Sequence, residues 1–325
     1  MNPPAISVTQ PVGQAIDRTI RILFRPFSAS KWFTIGFCAW LAYLGRGGGN
    51  GGGFNYHVPQ RGHGGIEQLR GQLWRAHDYV LDHLYWIVPV AAALILFGLV
   101  VWGLFTWLNS RGMFMFLHCV ARNRAAVAEP WKEFRREGNS LFVFRVVLWL
   151  ASMALLFPLM IWGGLKLVAM FMHAAWPASG VRDLILIGAA WLAGALVFGI
   201  VRKLTNDFVV PIMMLRRTRW REGWAEYWRL LAAHPGRFLL YLLFQIVLAV
   251  AIVVIILVAV VATCCIAGCF LVLPYLGTVV LLPVLVFARS YSLCYLAQYG
   301  PAYDVFPPAA PPPVAPGAAP APPVM

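Results

Sequence analysis

Six stretches of this chain are long and apolar enough to demand an environment other than water: 27–45, 84–108, 141–163, 184–201, 238–262 and 266–288. A helix needs roughly 20 apolar residues to cross the hydrocarbon layer of a membrane. Inside that layer only helices and closed barrels satisfy every backbone group, and runs without strand-like alternation read as helices. A large soluble core is excluded by composition, because 61 % of the residues are hydrophobic and only 12 % charged, about half the charged share of a soluble domain. The expected fold class is all-α, a polytopic membrane helix bundle of about six transmembrane helices. The first run is the weakest, since its strongly apolar part, 32–44, has 13 residues. It would pass for the core of a signal peptide, but a 26-residue basic lead precedes it and Gly45-Arg46 follows in place of a small-residue cleavage site, so it reads as an anchor.

Charge decides the orientation. Lys and Arg number 26 against 12 Asp and Glu, a net +14, which suits anionic lipid headgroups. Nucleic acid is not an expected partner, because the basic residues sit in short connections between apolar runs. Arg18, Arg21, Arg25 and Lys31 surround the start of the first run. Arg111, Arg122, Arg124, Lys132, Arg135 and Arg136 follow the second, and eight more lie in 202–237. Alternate connections hold Arg46, Arg61, Arg70, Arg75, Lys166 and Arg182, so one side carries 18 cations and the other 6. Positive charge stays cytoplasmic in short loops. The expectation is a multi-pass protein of the inner cell membrane with both termini cytoplasmic.

Each basic stretch reads as an amphipathic interfacial helix, three in all. In the lead, Ile16, Ile20, Leu23 and Phe24 recur at helical spacing while Arg18, Arg21 and Arg25 occupy another face. The second places Val127, Trp131 and Phe134 opposite Lys132, Arg135 and Arg136. The third has a stripe of Trp220, Trp224, Tyr227, Trp228 and Leu231, with Arg221, Glu222, Glu226 and Arg229 turned away. Aromatic rings and guanidinium groups together suit the headgroup boundary, which makes Arg18, Arg21, Arg25, Trp131, Arg135, Trp220, Arg221, Trp224 and Trp228 the candidate membrane-interface residues. Trp131-Lys-Glu-Phe134 also aligns with Trp224-Ala-Glu-Tyr227, 93 residues later. This fits a threefold internal repeat, each unit an interfacial helix followed by two spans.

The run Arg25-Pro-Phe-Ser-Ala-Ser-Lys-Trp32, the glycine tract after the first span, and Phe287-Ala-Arg-Ser-Tyr-Ser-Leu-Cys-Tyr-Leu-Ala-Gln-Tyr-Gly-Pro301 resemble an uncharacterised family of bacterial and archaeal six-span membrane proteins. That family is distantly similar to the membrane domain of some glycerophosphodiester phosphodiesterases. The resemblance implies the architecture and no active-site residue, since no catalytic phosphodiesterase domain accompanies it.

Three segments follow: the basic amphipathic lead 1–26, the six-span domain 27–300 with a glycine-rich external loop and helix at 45–83, and a proline- and alanine-rich tail 301–325 expected to be disordered. The glycine tract lacks the preceding strand of a dinucleotide fingerprint and the Gly-Lys-Ser/Thr of a phosphate loop. His57, His63, His77 and His83 in that loop and the Cys264, Cys265 and Cys269 cluster could be imagined as metal ligands. Their spacing favours a solvated loop and packing, so no metal or cofactor is expected. Arg111, Asp207 and Arg289 flank span ends, where long side chains can simply reach out to water; the sharper alternative is an ion pair of Asp207 with Arg111 or Arg289 that would tie the units together.

The expected function is that of a non-enzymatic integral membrane protein organising lipid, notably anionic lipid, or partner proteins at the cytoplasmic face. The alternative is a transporter or flippase for an amphipathic or anionic substrate, which a polar cavity at mid-membrane would favour and a solid apolar bundle would rule out. No catalytic motif is present.

Overall fold

Where each apolar run stops follows from the residues at its ends. The computed structural model describes residues 6–44, 79, 81–172, 177–263, 268 and 273–306. The glycine tract, the proline-rich tail, His57, His63 and His77, and Cys264, Cys265 and Cys269 lie outside the described residues. Among the described residues every regular element is helical. Helix α1 (Gln10–Leu23) has Pro11 in its first turn. Helix α2 (Ala29–Tyr43) starts at Ser28, whose hydroxyl accepts the Lys31 N–H, an N-cap that satisfies one of the orphan donors. Helix α3 (Leu84–Arg122) ends at Asn123 in the left-handed region, φ 53°. After the short α4 (Ala128–Glu133) comes α5 (Arg135–Met172). Helix α6 (Ala178–Leu204) passes through a π turn (Thr205–Val209) into α7 (Val210–Arg216), which stops at a second left-handed residue, Arg217, φ 54°. Then follow α8 (Trp220–Ala233), α9 (Pro235–Ala262), α10 (Pro274–Val280), α11 (Leu282–Ala297) and a single 3-10 turn (Pro301–Tyr303).

Among the described residues four helices are long and apolar enough to cross a membrane: α3, α5, the continuous α6 to α7, and α9. Their most apolar windows are 0 to 11 % buried. Side chains such as Leu94, Leu165, Leu192 and Val261, each 64 to 67 % exposed, find little to pack against among the described residues, as helices facing hydrocarbon would. The tightly packed part of the molecule is a base at the basic end of these helices. It comprises residues 109–121 of α3, the π turn and α7, together with α1, α2, α8 and α11.

Of the six expected crossings, four meet the length requirement among the described residues, and six are not confirmed. Helix α2 has 15 residues, about 22 Å at 1.5 Å per residue and short of a roughly 30 Å core. It lies beside the lower third of α3: the Asn109 amide donates to Leu44 O at 2.9 Å, and Lys31 Nζ reaches Asn123 Oδ1 at 2.8 Å. The last run is broken at Leu281, which closes α10 and opens α11. Pro283, lacking an N–H, sits in the first turn of α11, and Arg289 to Leu296 are buried in the base. The two ends of the described chain meet there: Ser7 N–H donates to Gln298 Oε1 at 2.8 Å, and Gln298 Nε2 to Ser7 O at 3.0 Å.

Two of the three expected units, the second and third, share local features. Asn123 and Arg217 turn the chain in the same left-handed conformation, and a short helix follows each. Phe134 stacks on Phe114 at 5.9 Å and 11°, and Tyr227 stacks on Phe208 at 5.5 Å and 7°. Helix α4 packs on α3 and α8 on α7, while α1 docks on α11, so the first interfacial helix takes the last unit as its support. Phe208 anchors the base, within 5.2 Å of Phe238 and 4.9 Å of Tyr241. Arg217 reaches back to Glu133, tying α7 to α4.

Candidate functional site

Polar residues appear where the spans enter the base, and they face one another. On α3 the apolar run gives way to Asn109, Ser110 and Arg111. On α5 Arg145 lies among Val and Leu, and on α6 Arg202 and Lys203 precede Asn206 and Asp207 in the π turn. A π turn shifts the backbone hydrogen-bond register and recurs at functional sites. Here Thr205 Oγ1 donates to Val201 O at 2.6 Å and Asn206 Nδ2 to Arg202 O at 2.6 Å. The turn thereby holds Asn206 and Asp207 toward the interior of the bundle.

Two chambers result. The first, about 630 Å³, lies between α3, α5 and α6. Gly98, Val101, Trp102, Phe105, Leu156 and Phe198 line its upper part, and Asn109, Arg145 and Arg202 its lower end. From Gly98 to Asn109 is eleven residues, about 16 Å along the helix. Phe105, 44 % exposed, stands at the edge of this chamber. The second chamber, about 580 Å³, lies on the other side of α6 among Tyr43, Lys203, Asn206, Asp207, Gln245 and Arg289. Gly199 and Arg202 line both. A Cβ added at Gly199 would meet nothing within 4 Å.

Four cations face these chambers against one carboxylate. Arg145 donates to Asn109 Oδ1, to Ser110 Oγ at 3.1 Å and to Asn206 Oδ1 at 3.0 Å. Asp207 takes Lys203 as its ion partner, Nζ to Oδ2 2.9 Å, and accepts the Tyr241 hydroxyl at 3.1 Å. Gln245 completes that group, accepting from Lys203 at 3.3 Å and donating to Tyr241 at 2.9 Å. Arg202 has no ion-pair partner among the described residues. Arg289 is 3 % exposed and gives one nitrogen to Asn206 O, while its Nε and second terminal nitrogen have no hydrogen-bond partner among the described residues. An unsatisfied guanidinium in low dielectric is expensive. An anion in the second chamber would relieve that, and Arg202 stands at the junction of the two.

The alternative pairing of Asp207 with Arg111 or Arg289 is not among the ion pairs of the described residues. Asp207 pairs with the neighbouring Lys203 one turn away, whereas Arg111 donates to Asn139 Oδ1 at 3.3 and 3.2 Å and lies over the Trp107 and Trp131 rings at 4.5 and 4.8 Å. Arg289 faces the same chamber as Asp207 but bonds to the backbone of its neighbour.

The candidate interface residues divide. Arg21, Arg25, Arg135 and Arg221 are exposed on the base, and Trp228 is 62 % exposed. Arg18 turns inward, 3.3 Å over the Phe306 ring. Trp131 packs on Trp107 at 5.8 Å, and Trp220 and Trp224 pack on Phe144 at 5.2 and 5.9 Å. Of the aromatic stripe of α8, Tyr227 is therefore core, Trp220 and Trp224 are half-buried against it, and Trp228 is exposed. The lead helix buries Ala15, Thr19, Ile22 and Leu23 and leaves Ile16, Ile20 and Phe24 exposed, so its outward apolar face is narrower than the periodicity implied. Sequence reasoning missed Asn109, Asn206, Arg202 and Lys203 as site residues. Their signal was the change from apolar to amide and cationic side chains at corresponding span ends.

A family model described as a family of unknown function, DUF7544, matches residues 6–276. No curated protein and no solved structure matches, and the similarity to the membrane domain of glycerophosphodiester phosphodiesterases finds no support in these comparisons.

Proposed function

This chain belongs to DUF7544, a family of unknown function, and from that premise we propose that it is a non-enzymatic protein of the inner membrane that holds an anionic lipid at the cytoplasmic leaflet. Its phosphate would lie among Arg145, Arg202 and Arg289, and its chain along α3, α5 and α6. The single observation that carries the reading is the buried Arg289, with two guanidinium nitrogens unpartnered, beside a chamber that shares Arg202 with an apolar slot. Guanidinium groups bind phosphate by paired, charge-assisted hydrogen bonds. Chambers of this size lie within the 300 to 1,000 Å³ range of ligand sites. The excess of cations at the base, and the placing of α1 and α11 there, support cytoplasmic termini.

The first chamber is cationic at one end and apolar toward the middle of the spans. That distribution favours gripping a lipid by its head over passing the head through, so the organising role is preferred to a flippase. Native mass spectrometry of the detergent-released protein, offered phosphatidylglycerol and phosphatidylcholine in equal amount, tests this. Phosphatidylglycerol should be retained several-fold in excess, inorganic phosphate should not displace it, and both Arg202→Gln and Gly199→Leu should abolish the preference. Equal retention of the two lipids, or a preference untouched by either variant, would refute the reading.

A further inference from the structure

Outside the slot, in the base, His118 on the last turn of α3 is 1 % exposed and neither of its ring nitrogens has a hydrogen-bond partner among the described residues. Nε2 lies 3.9 Å from Glu133 Oε2, a buried carboxylate oxygen that is likewise unpartnered. Glu129, one turn earlier on α4, adds a second carboxylate, and the donor atoms of all three lie within 4.8 Å of one another. The three donor atoms are close enough to share one ion, yet at 3.9 Å His118 and Glu133 are too far apart for a hydrogen bond. Such separations suit ligands around a missing centre. With metal–ligand bonds of about 2.0 to 2.2 Å, the edge of a tetrahedron is about 3.3 to 3.6 Å, so side-chain movements of about an ångström bring the three donors onto one ion.

From this we propose that His118, Glu129 and Glu133 form a zinc-class divalent metal site that joins the end of α3 to α4. One imidazole nitrogen and two carboxylate oxygens are ligands that zinc accepts, with a fourth position left for water. The surroundings are prepared for it. Glu133 uses its other oxygen, Oε1, to accept from Arg217 and lies 3.8 Å from Arg122, contacts that fix the carboxylate's orientation. Glu137, 5 % exposed, lies 4.0 Å from Arg217 and brings a third carboxylate to the group. Phe134 lies edge-on to the imidazole at 6.0 Å and helps shield it from water. The site stands two turns from Arg111 along α3 and does not depend on the lipid slot.

The test uses the full chain in detergent, stripped with chelator and titrated with zinc against a chromophoric competitor, with cobalt as a spectroscopic probe. The expected result is one zinc per chain, a tetrahedral visible spectrum with cobalt, and affinity reduced roughly tenfold or more by His118→Leu and by Glu129→Gln. Glu129 is exposed, so its variant keeps the test alive if His118→Leu fails to fold. Absence of stoichiometric zinc binding by the wild-type chain would overturn the proposal, as would zinc bound equally tightly by the wild type and Glu129→Gln.

Discussion

Replacing Gly112 by alanine tests how the base is built. A Cβ at this position would lie 2.6 Å from the Leu41 carbonyl carbon and 2.7 Å from Ala42 N, both backbone atoms of α2. Ordinary contact begins at 3.4 Å, so the two helices must separate by about 0.8 Å along that line. Rotation of a side chain cannot relieve a clash with backbone. Parting α2 from α3 also disturbs the Asn109 to Leu44 hydrogen bond and the Cys38 and Cys119 contact. Overpacking of this kind costs about 1 to 3 kcal/mol. Gly103 on the same helix is the control, because a Cβ there meets nothing within 4 Å. Glycine to alanine in an open helical position is neutral or stabilising by up to about 1 kcal/mol. Reversible unfolding in mixed detergent micelles, followed by tryptophan fluorescence, should place Gly112→Ala below the wild type and Gly103→Ala at or above it. Equal stability of Gly112→Ala and the wild type would refute the close approach of α2 and α3.

Two further outcomes follow from the site and the orientation. Asp207→Lys should lower stability by juxtaposing two cations, and Lys203→Asp in the same chain should restore it, measured by the same unfolding titration. Reversing Arg111 to Asp should give no such rescue, since Arg111 lies over Trp107 and Trp131. Cysteine labels placed at Arg124 and Arg219 in the cysteine-free chain should react only from the cytoplasmic side in intact cells. Labelling from outside would reverse the orientation.

The membrane class and the helical content were legible because greasy runs of 20 residues admit few alternatives. The number of crossings was less so. Hydropathy cannot tell a span from a short helix packed in an apolar base, and the stretches containing α2 and α11 are both apolar enough to pass for either. Trp224 and Tyr227 illustrate the same ambiguity. An aromatic stripe looks identical in sequence whether it meets lipid or, as here, Phe144 and Phe208. Asp207 was singled out as a charge that either reaches water or pairs, and the partners considered for it lay across the bundle. Lys203, four residues away, is the nearer cation on the same helix face, and that spacing was readable. The chambers could not be read, because they depend on how α6 turns through its π segment. His118 gave no signal alone. Its carboxylates lie eleven and fifteen residues further on, beyond a left-handed turn at Asn123.

The most direct test is an electron cryomicroscopy map of the full chain in nanodiscs containing phosphatidylglycerol. A phosphate density within about 4 Å of the Arg202 and Arg289 guanidinium groups, with an acyl chain running beside Trp102 and Phe198, is the expected result. A solvent-filled or collapsed slot at resolution sufficient to see ordered annular lipids elsewhere would contradict it.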